Sequence, residues 1–360
     1  MADRGQRKPR AEEPRVHGGL DERALAARGI APDDVVDFSV NINPYGPCAS
    51  VVEAARSARL DRYPDPEAFA ARSAWGAALG HDVARIAVGH GAADLFWAIA
   101  RALIAPGDVV VIAEPTFSEF RIAAAAAGAT VATVRATASA DYALDLAGLA
   151  RAGRGAAALY LCAPNNPTGE YVSPSHVSAL AEALPDTIIV LDQSFLALSD
   201  HADDARVGLP DNVLRVRSLT KEFGCPGLRI GLCVGTPALI GGVEAMRPTW
   251  ATSSGALAAL EASARAHDFV QQSWSRMRAD RDAVRALLVE RGYAPRVSAT
   301  SYQLVQLDED ARALCERLAL HGVQLRDCSS FGLPRHVRVA ALPAPARARL
   351  AHALDATRRA

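Results

Sequence analysis

Lys221 stands in the run Ser218-Leu219-Thr220-Lys221-Glu222-Phe223-Gly224-Cys225-Pro226-Gly227-Leu228-Arg229. A lysine amine can condense with an aldehyde to form a Schiff base. The hydroxyl of Ser218 and the guanidinium of Arg229 can both reach a phosphate. Arginine suits that anion because its planar fork donates two charge-assisted hydrogen bonds at once. A hydroxyl, an amine and a guanidinium in this order are what a phosphorylated aldehyde needs.

Five further runs carry chemistry of the same kind. In Val88-Gly89-His90-Gly91-Ala92-Ala93-Asp94-Leu95 a strand should pass through a glycine-bearing turn into a helix. The free N–H groups of Gly91, Ala92 and Ala93 at that helix start, and the positive end of its dipole, can hold a phosphate. A nicotinamide-binding turn is the rival, but the run lacks the third glycine and no ribose-binding acid follows at the right distance. A plain structural turn also stays open. Glu114-Pro115-Thr116-Phe117 places an aromatic after a strand, where Phe117 can stack on a pyridine ring or serve as ordinary core. Ala163-Pro164-Asn165-Asn166-Pro167-Thr168-Gly169 reads as a rigid turn, and Asn166 can donate to a phenolic oxygen.

Val190-Leu191-Asp192-Gln193-Ser194-Phe195 ends an apolar strand on an acid. A buried carboxylate needs a partner, and a protonated pyridine nitrogen is one; capping of a following helix by Asp192 is the alternative. His336-Val337-Arg338-Val339-Ala340 sets an arginine inside an apolar strand. Arg338 therefore calls for an anion, either the α-carboxylate of an amino acid or a neighbouring acid. Arg326, one short strand upstream, can hold a second anionic group of the substrate or be structural.

These groups need a scaffold. Short β-rich runs at Val109–Ala113, Ala157–Cys162, Thr187–Asp192, Val213–Ser218 and Ile230–Val234 alternate with helical stretches such as Leu95–Leu103, Ile122–Gly128 and Val177–Leu184. The alternation predicts βαβ units: an α/β fold with a mostly parallel sheet covered by helices. From about Met246 the texture changes. Helices are expected over Gly255–His267, Phe269–Arg291, Asp310–Leu320 and Pro345–Arg358, with strands over Val297–Leu307, Val323–Arg326 and His336–Ala340. This predicts a large cofactor-binding domain over 49–245 and a smaller α+β domain over 246–360, with an N-terminal segment over 17–48 packed on the latter. Residues 1–16 are charged, lack an apolar core and read as a disordered arm rather than a signal peptide.

With 360 residues and a formal net charge of −1, the chain offers no global basic field for nucleic acid or an anionic membrane. Its apolar runs are broken well short of a membrane span. Cys48, Cys162, Cys225, Cys233, Cys315 and Cys328 show neither CxxC pairing nor metal spacing, so reduced thiols in a cytoplasmic protein and no metal site are expected.

The set Gly91-Ala92-Ala93, Phe117, Asn166, Asp192, Ser218, Lys221, Arg229 and Arg338 resembles that of the fold-type I pyridoxal-phosphate aminotransferases, from His17 onward. His17-Gly18-Gly19, Asp37-Phe38-Ser39-Val40-Asn41-Ile42-Asn43-Pro44-Tyr45-Gly46-Pro47 and Arg62-Tyr63-Pro64-Asp65-Pro66 are similar to the branch of histidinol-phosphate aminotransferases and threonine-phosphate decarboxylases. The resemblance implies that Asn43 lies near the substrate. It also implies a homodimer, in which Tyr63 reaches the cofactor phosphate of the partner subunit. Gln193, Phe195, Glu222 and Thr300-Ser301-Tyr302 depart from the family's usual residues. Transamination between an amino acid and a 2-oxo acid or phosphorylated carbonyl compound is the leading expectation. A threonine-phosphate type decarboxylase is the alternative, and a non-catalytic binding protein of the same fold a third.

Overall fold

Segments of five or six residues, most of them rich in apolar side chains, build a seven-stranded sheet. Its order is Ile86–His90, Ile230–Val234, Val213–Ser218, Ile188–Asp192, Ala158–Cys162, Val109–Glu114, Thr130–Arg135. Ile230–Val234 runs antiparallel to both neighbours, and the other pairings are parallel. The computed structural model describes residues 18–27 and 29–358, so the arm expected over 1–16, and His17, lie outside the described residues.

Inner strands such as Ala158–Cys162 are buried throughout because both faces are covered. The pleat sends alternate side chains to opposite sides. Tyr160 joins Phe96, Ile99 and Phe120 beneath the helices Gly91–Leu103 and Glu119–Ala127. Leu159 and Leu161 join Leu149, Val177 and Leu180 of Leu146–Gly153 and Pro174–Ala183. Helix starts carry the residues that favour them: Ser173 and Thr236 cap helices whose first residue is proline. The edge strand Thr130–Arg135 has no strong sequence signal. Thr130, Thr133 and Arg135 face solvent, so its apolar residues are too few to stand out.

A four-stranded antiparallel sheet, Arg326–Asp327, His336–Ala340, Tyr302–Gln306, Ala294–Pro295, lies in the C-terminal third. Its core draws on Val284 and Leu288 of the long helix His267–Glu290, and on Leu314, Leu318, Leu350 and Leu354. Val36–Asp37 pairs in parallel with Val323–Gln324, and Phe38 is fully buried in this same core. Two expected strands are corrected. Val323–Arg326 divides at Leu325: its first part pairs with Val36–Asp37, while Arg326–Asp327 pairs with His336–Ala340. Within Val297–Leu307 only Tyr302–Gln306 is strand, because Thr300 turns aside and donates to the Leu198 carbonyl at 2.7 Å.

Glu114, Cys162, Asp192 and Ser218 each end a parallel strand on one edge of the large sheet. Ligands of open α/β sheets bind outside that edge.

Candidate active site

A cavity of about 300 Å³ opens there. Phe117, Asn166, Phe195, Thr220, Lys221 and Arg229 line it from the large sheet's side, and Asn41, Arg326 and Arg338 from the other. The strand Val213–Ser218 delivers Lys221 on the short helix Leu219–Glu222. Lys221 Nζ lies 4.8 Å from the centre of the Phe195 ring, and no hydrogen bond from Nζ to a described residue is formed. Burial pulls its pKa below the usual lysine value; Asp192 opposes that shift, while Arg229 and Arg338 add to it. The neutral form of an amine facing a cavity is a nucleophile, and burial favours that form.

One end of the cavity is built for an anion. Gly91 opens the helix Gly91–Leu103 at φ +79°, and a Cβ there would lie 2.7 Å from Nη2 of Arg229. Only glycine allows the guanidinium so close to the helix start. Arg229 Nη1 donates to the Pro226 carbonyl at 3.2 Å. Ser218 Oγ and Thr220 Oγ1 share a hydrogen bond of 2.8 Å. The first N–H groups of the helix, two hydroxyls and a guanidinium thus gather in one region.

Asp192 is 2% exposed. Its Oδ1 accepts from the Ser194 N–H at 2.8 Å, and Oδ2 accepts from the Tyr160 hydroxyl at 2.9 Å. Among the described residues it forms no ion pair, and these two hydrogen bonds hold the carboxylate in place. Its bond to Ser194 is a local turn of the kind a capping aspartate makes.

Arg338, buried in His336–Ala340, donates to Oδ1 of Asn166 and to the Ser39 carbonyl. With its amide oriented to satisfy both ends, Asn41 accepts from Arg338 Nη1 and Nε at 3.2 Å each. These partners are neutral, and no carboxylate pairs with Arg338 among the described residues. Burial lowers its pKa to about 10. Arg326 is the register partner of Arg338 on the neighbouring strand, so both guanidinium groups lie on one side of the small sheet. Arg326 Nη2 donates to Ser330 Oγ at 2.7 Å, and its guanidinium lies 5.2 Å from the Phe331 ring.

Asn43 and Tyr63 do not line this chain's cavity. The Asn43 amide is used by the Glu222 carbonyl at 2.9 Å and the Tyr45 N–H at 3.0 Å, and Asn41 faces Arg338 in its stead. Tyr63 is 76% exposed and stacks on Trp250 at 4.4 Å. Sequence reasoning passed over Asn41, Thr220 as a cavity residue, and Tyr160. Thr220 had a signal, a hydroxyl next to the lysine; Tyr160, inside an apolar strand, had none. A larger cavity of about 440 Å³ lies beyond Glu222, between Trp75, Arg217 and Trp274, and none of the predicted site residues lines it.

The residues fit pyridoxal phosphate. Lys221 offers an amine, the Gly91–Arg229 region an anion cradle, Phe117 a ring face, and Asp192 a buried carboxylate with no ion pair among the described residues. The chain matches the family model described as aminotransferase class I and II over residues 33–356. It is 33% identical to a histidinol-phosphate aminotransferase of Methanopyrus kandleri, covering 91% of this chain and 89% of the relative. It superposes with a TM-score of 0.85 on the histidinol-phosphate aminotransferase of Sinorhizobium meliloti solved with pyridoxal-5'-phosphate, at 29% identity and 96% coverage of both chains. The L-threonine-O-3-phosphate decarboxylase of Porphyromonas gingivalis matches with a TM-score of 0.77 at 25% identity, covering 90% of this chain and 99% of that one. The chain therefore belongs to the aminotransferase class I and II family, the pyridoxal-phosphate-dependent aminotransferases.

Proposed function

We propose that this aminotransferase moves an amino group between an amino acid and a 2-oxo acid or phosphorylated carbonyl compound in small-molecule biosynthesis. The observation that carries the reading is the pairing of Arg326 and Arg338, which line the same cavity as Lys221. Two adjacent guanidinium groups suit a substrate with two anionic groups: an α-carboxylate and a side-chain acid, or a phosphate.

When bound, the cofactor supplies an electron sink for the bond that breaks at the substrate's α-carbon. Lys221 would hold it by the amine. Nζ would then serve as the base and acid that moves the α-proton. Asp192 would balance the proton on the ring nitrogen, Asn166 would donate to the phenolic oxygen through Nδ2, and Phe117 would cover the ring. Gly91, Ala92, Ala93, Ser218, Thr220 and Arg229 would hold the phosphate, and Arg338 would orient the α-carboxylate.

The enzyme works as a homodimer in which Tyr63 serves the partner subunit's site. Exposure of Leu60, Tyr63, Phe69 and Trp250 supports that surface. A large unit over 49–245 and a smaller one over 246–360 divide the chain, supported by their separate sheets; the contact of Val36 with Val323 supports packing of segment 17–48 on the smaller. Six buried free cysteines suit the reducing cytoplasm.

A decarboxylase reading has one observation behind it: Phe195, without a hydroxyl, faces the amine of Lys221. The resemblance places phenylalanine there in the decarboxylase branch. Turnover with histidinol phosphate plus 2-oxoglutarate, and with O-phosphothreonine, separates the two. Stoichiometric keto–amino exchange supports transamination; an amine product with carbon dioxide release overturns it.

A further inference from the structure

We infer that Tyr160 is a positioning residue of the cofactor site, whose hydroxyl holds the Asp192 carboxylate aimed at the ring nitrogen. The inference rests on the role proposed for Asp192. Cys162 is the register partner of Asp192, and Tyr160 lies two residues earlier on the same strand. Its fully buried ring stacks on Phe120 at 5.3 Å and meets Phe96 edge-on at 5.7 Å. Phenylalanine would fill that space equally well, so packing alone does not call for the hydroxyl. The hydroxyl donates to Asp192 Oδ2 at 2.9 Å, with Thr116 facing it from the other side. Burial and the nearby carboxylate raise the phenol's pKa well above its usual value, which keeps it a donor. A buried carboxylate needs hydrogen-bond donors to hold it in place. Ser194 N–H is the other donor, on Oδ1. Removing the Tyr160 hydroxyl leaves Oδ2 without its donor and frees the carboxylate to rotate.

The test compares binding of pyridoxal phosphate with binding of its deaza analogue, in which CH replaces the ring nitrogen. Full-length protein is used as wild type, Tyr160→Phe and Asp192→Ala. Wild type should prefer the natural cofactor. Tyr160→Phe should reduce that preference by about tenfold, as expected for a lost hydrogen bond to a charged group, while analogue affinity stays within about twofold. An unchanged preference, or equal weakening of both ligands, overturns the inference. If Asp192→Ala keeps the preference, the role of Asp192 fails and that of Tyr160 with it. If Asp192→Ala abolishes the preference and Tyr160→Phe keeps it, only the Tyr160 inference fails.

Discussion

The guanidinium of Arg338 donates to Oδ1 of Asn166 and, with the Tyr302 hydroxyl on the Asn165 carbonyl at 2.8 Å, ties the small sheet to the turn after the strand Ala158–Cys162. It also settles the amide's orientation. With Oδ1 taken, Nδ2 is the end left to donate into the cavity. The residue proposed to grip the substrate's carboxylate thus sets the orientation of the residue proposed to meet the cofactor.

Arg338→Lys should therefore harm both tasks. A lysine keeps the charge but cannot reach Asn166, the Ser39 carbonyl and a carboxylate from one planar fork. The loss of a charge-assisted bond corresponds to about 1.5–3 kcal/mol, or roughly ten- to hundredfold in kcat/KM. Steady-state kinetics should show KM rising and kcat falling together. A change in KM alone would separate Arg338 from Asn166.

Capture of cofactor by the stripped protein should depend on pH. The neutral amine is the reactive form, and burial favours it by lowering the Lys221 pKa from lysine's usual 10.5. The capture rate should therefore rise with pH and level off below that value. Asp192 raises the lysine's pKa and Arg338 lowers it. Asp192→Asn should move the midpoint to lower pH and Arg338→Gln to higher pH, both read by stopped-flow absorbance.

Gly91→Ala should cripple the anion cradle. The added Cβ would sit 2.7 Å from Arg229 Nη2, at a φ of +79° that alanine rarely adopts. Arg229 must then shift away from the helix start. Affinity for pyridoxal phosphate, measured by equilibrium dialysis, should fall at least about tenfold, while affinity for unphosphorylated pyridoxal should change little.

Glu222 has a structural task. It pairs with Arg217 at 3.2 Å, both side chains nearly inaccessible, and Arg217 lies 5.4 Å over the Trp75 ring. Glu222→Ala would strand the arginine's charge in the interior, at a cost of about 3–5 kcal/mol. Urea unfolding should detect the loss. A change within about 0.5 kcal/mol would show that water reaches Arg217 freely.

Much of this was legible from the chain itself. Lys221, Arg229 and Arg338 announce themselves because a cation next to or inside an apolar run needs a chemical reason. Strands such as Val213–Ser218, Ile230–Val234 and His336–Ala340 begin and end where the sequence pattern places them. What stayed hidden depends on register and on contacts between distant segments. Asn41 and Asn43 are equivalent by composition, and only the fold shows which amide is spent on Glu222 and Tyr45. Tyr160 looks like core, since its bond to Asp192 follows from the pairing of two strands 30 residues apart (Cys162 with Asp192). The adjacency of Arg326 and Arg338 likewise arises from strand pairing.

The most direct test of the central claim is the visible absorbance of protein reloaded with pyridoxal phosphate, followed by borohydride reduction and peptide mass mapping. The account predicts a yellow protein that bleaches when an amino-acid donor is added, with the reduced cofactor on the peptide containing Lys221. Lys221→Ala should lack both the colour and the label. Label on another lysine, or a Lys221→Ala protein that stays yellow and turns over, would contradict the account.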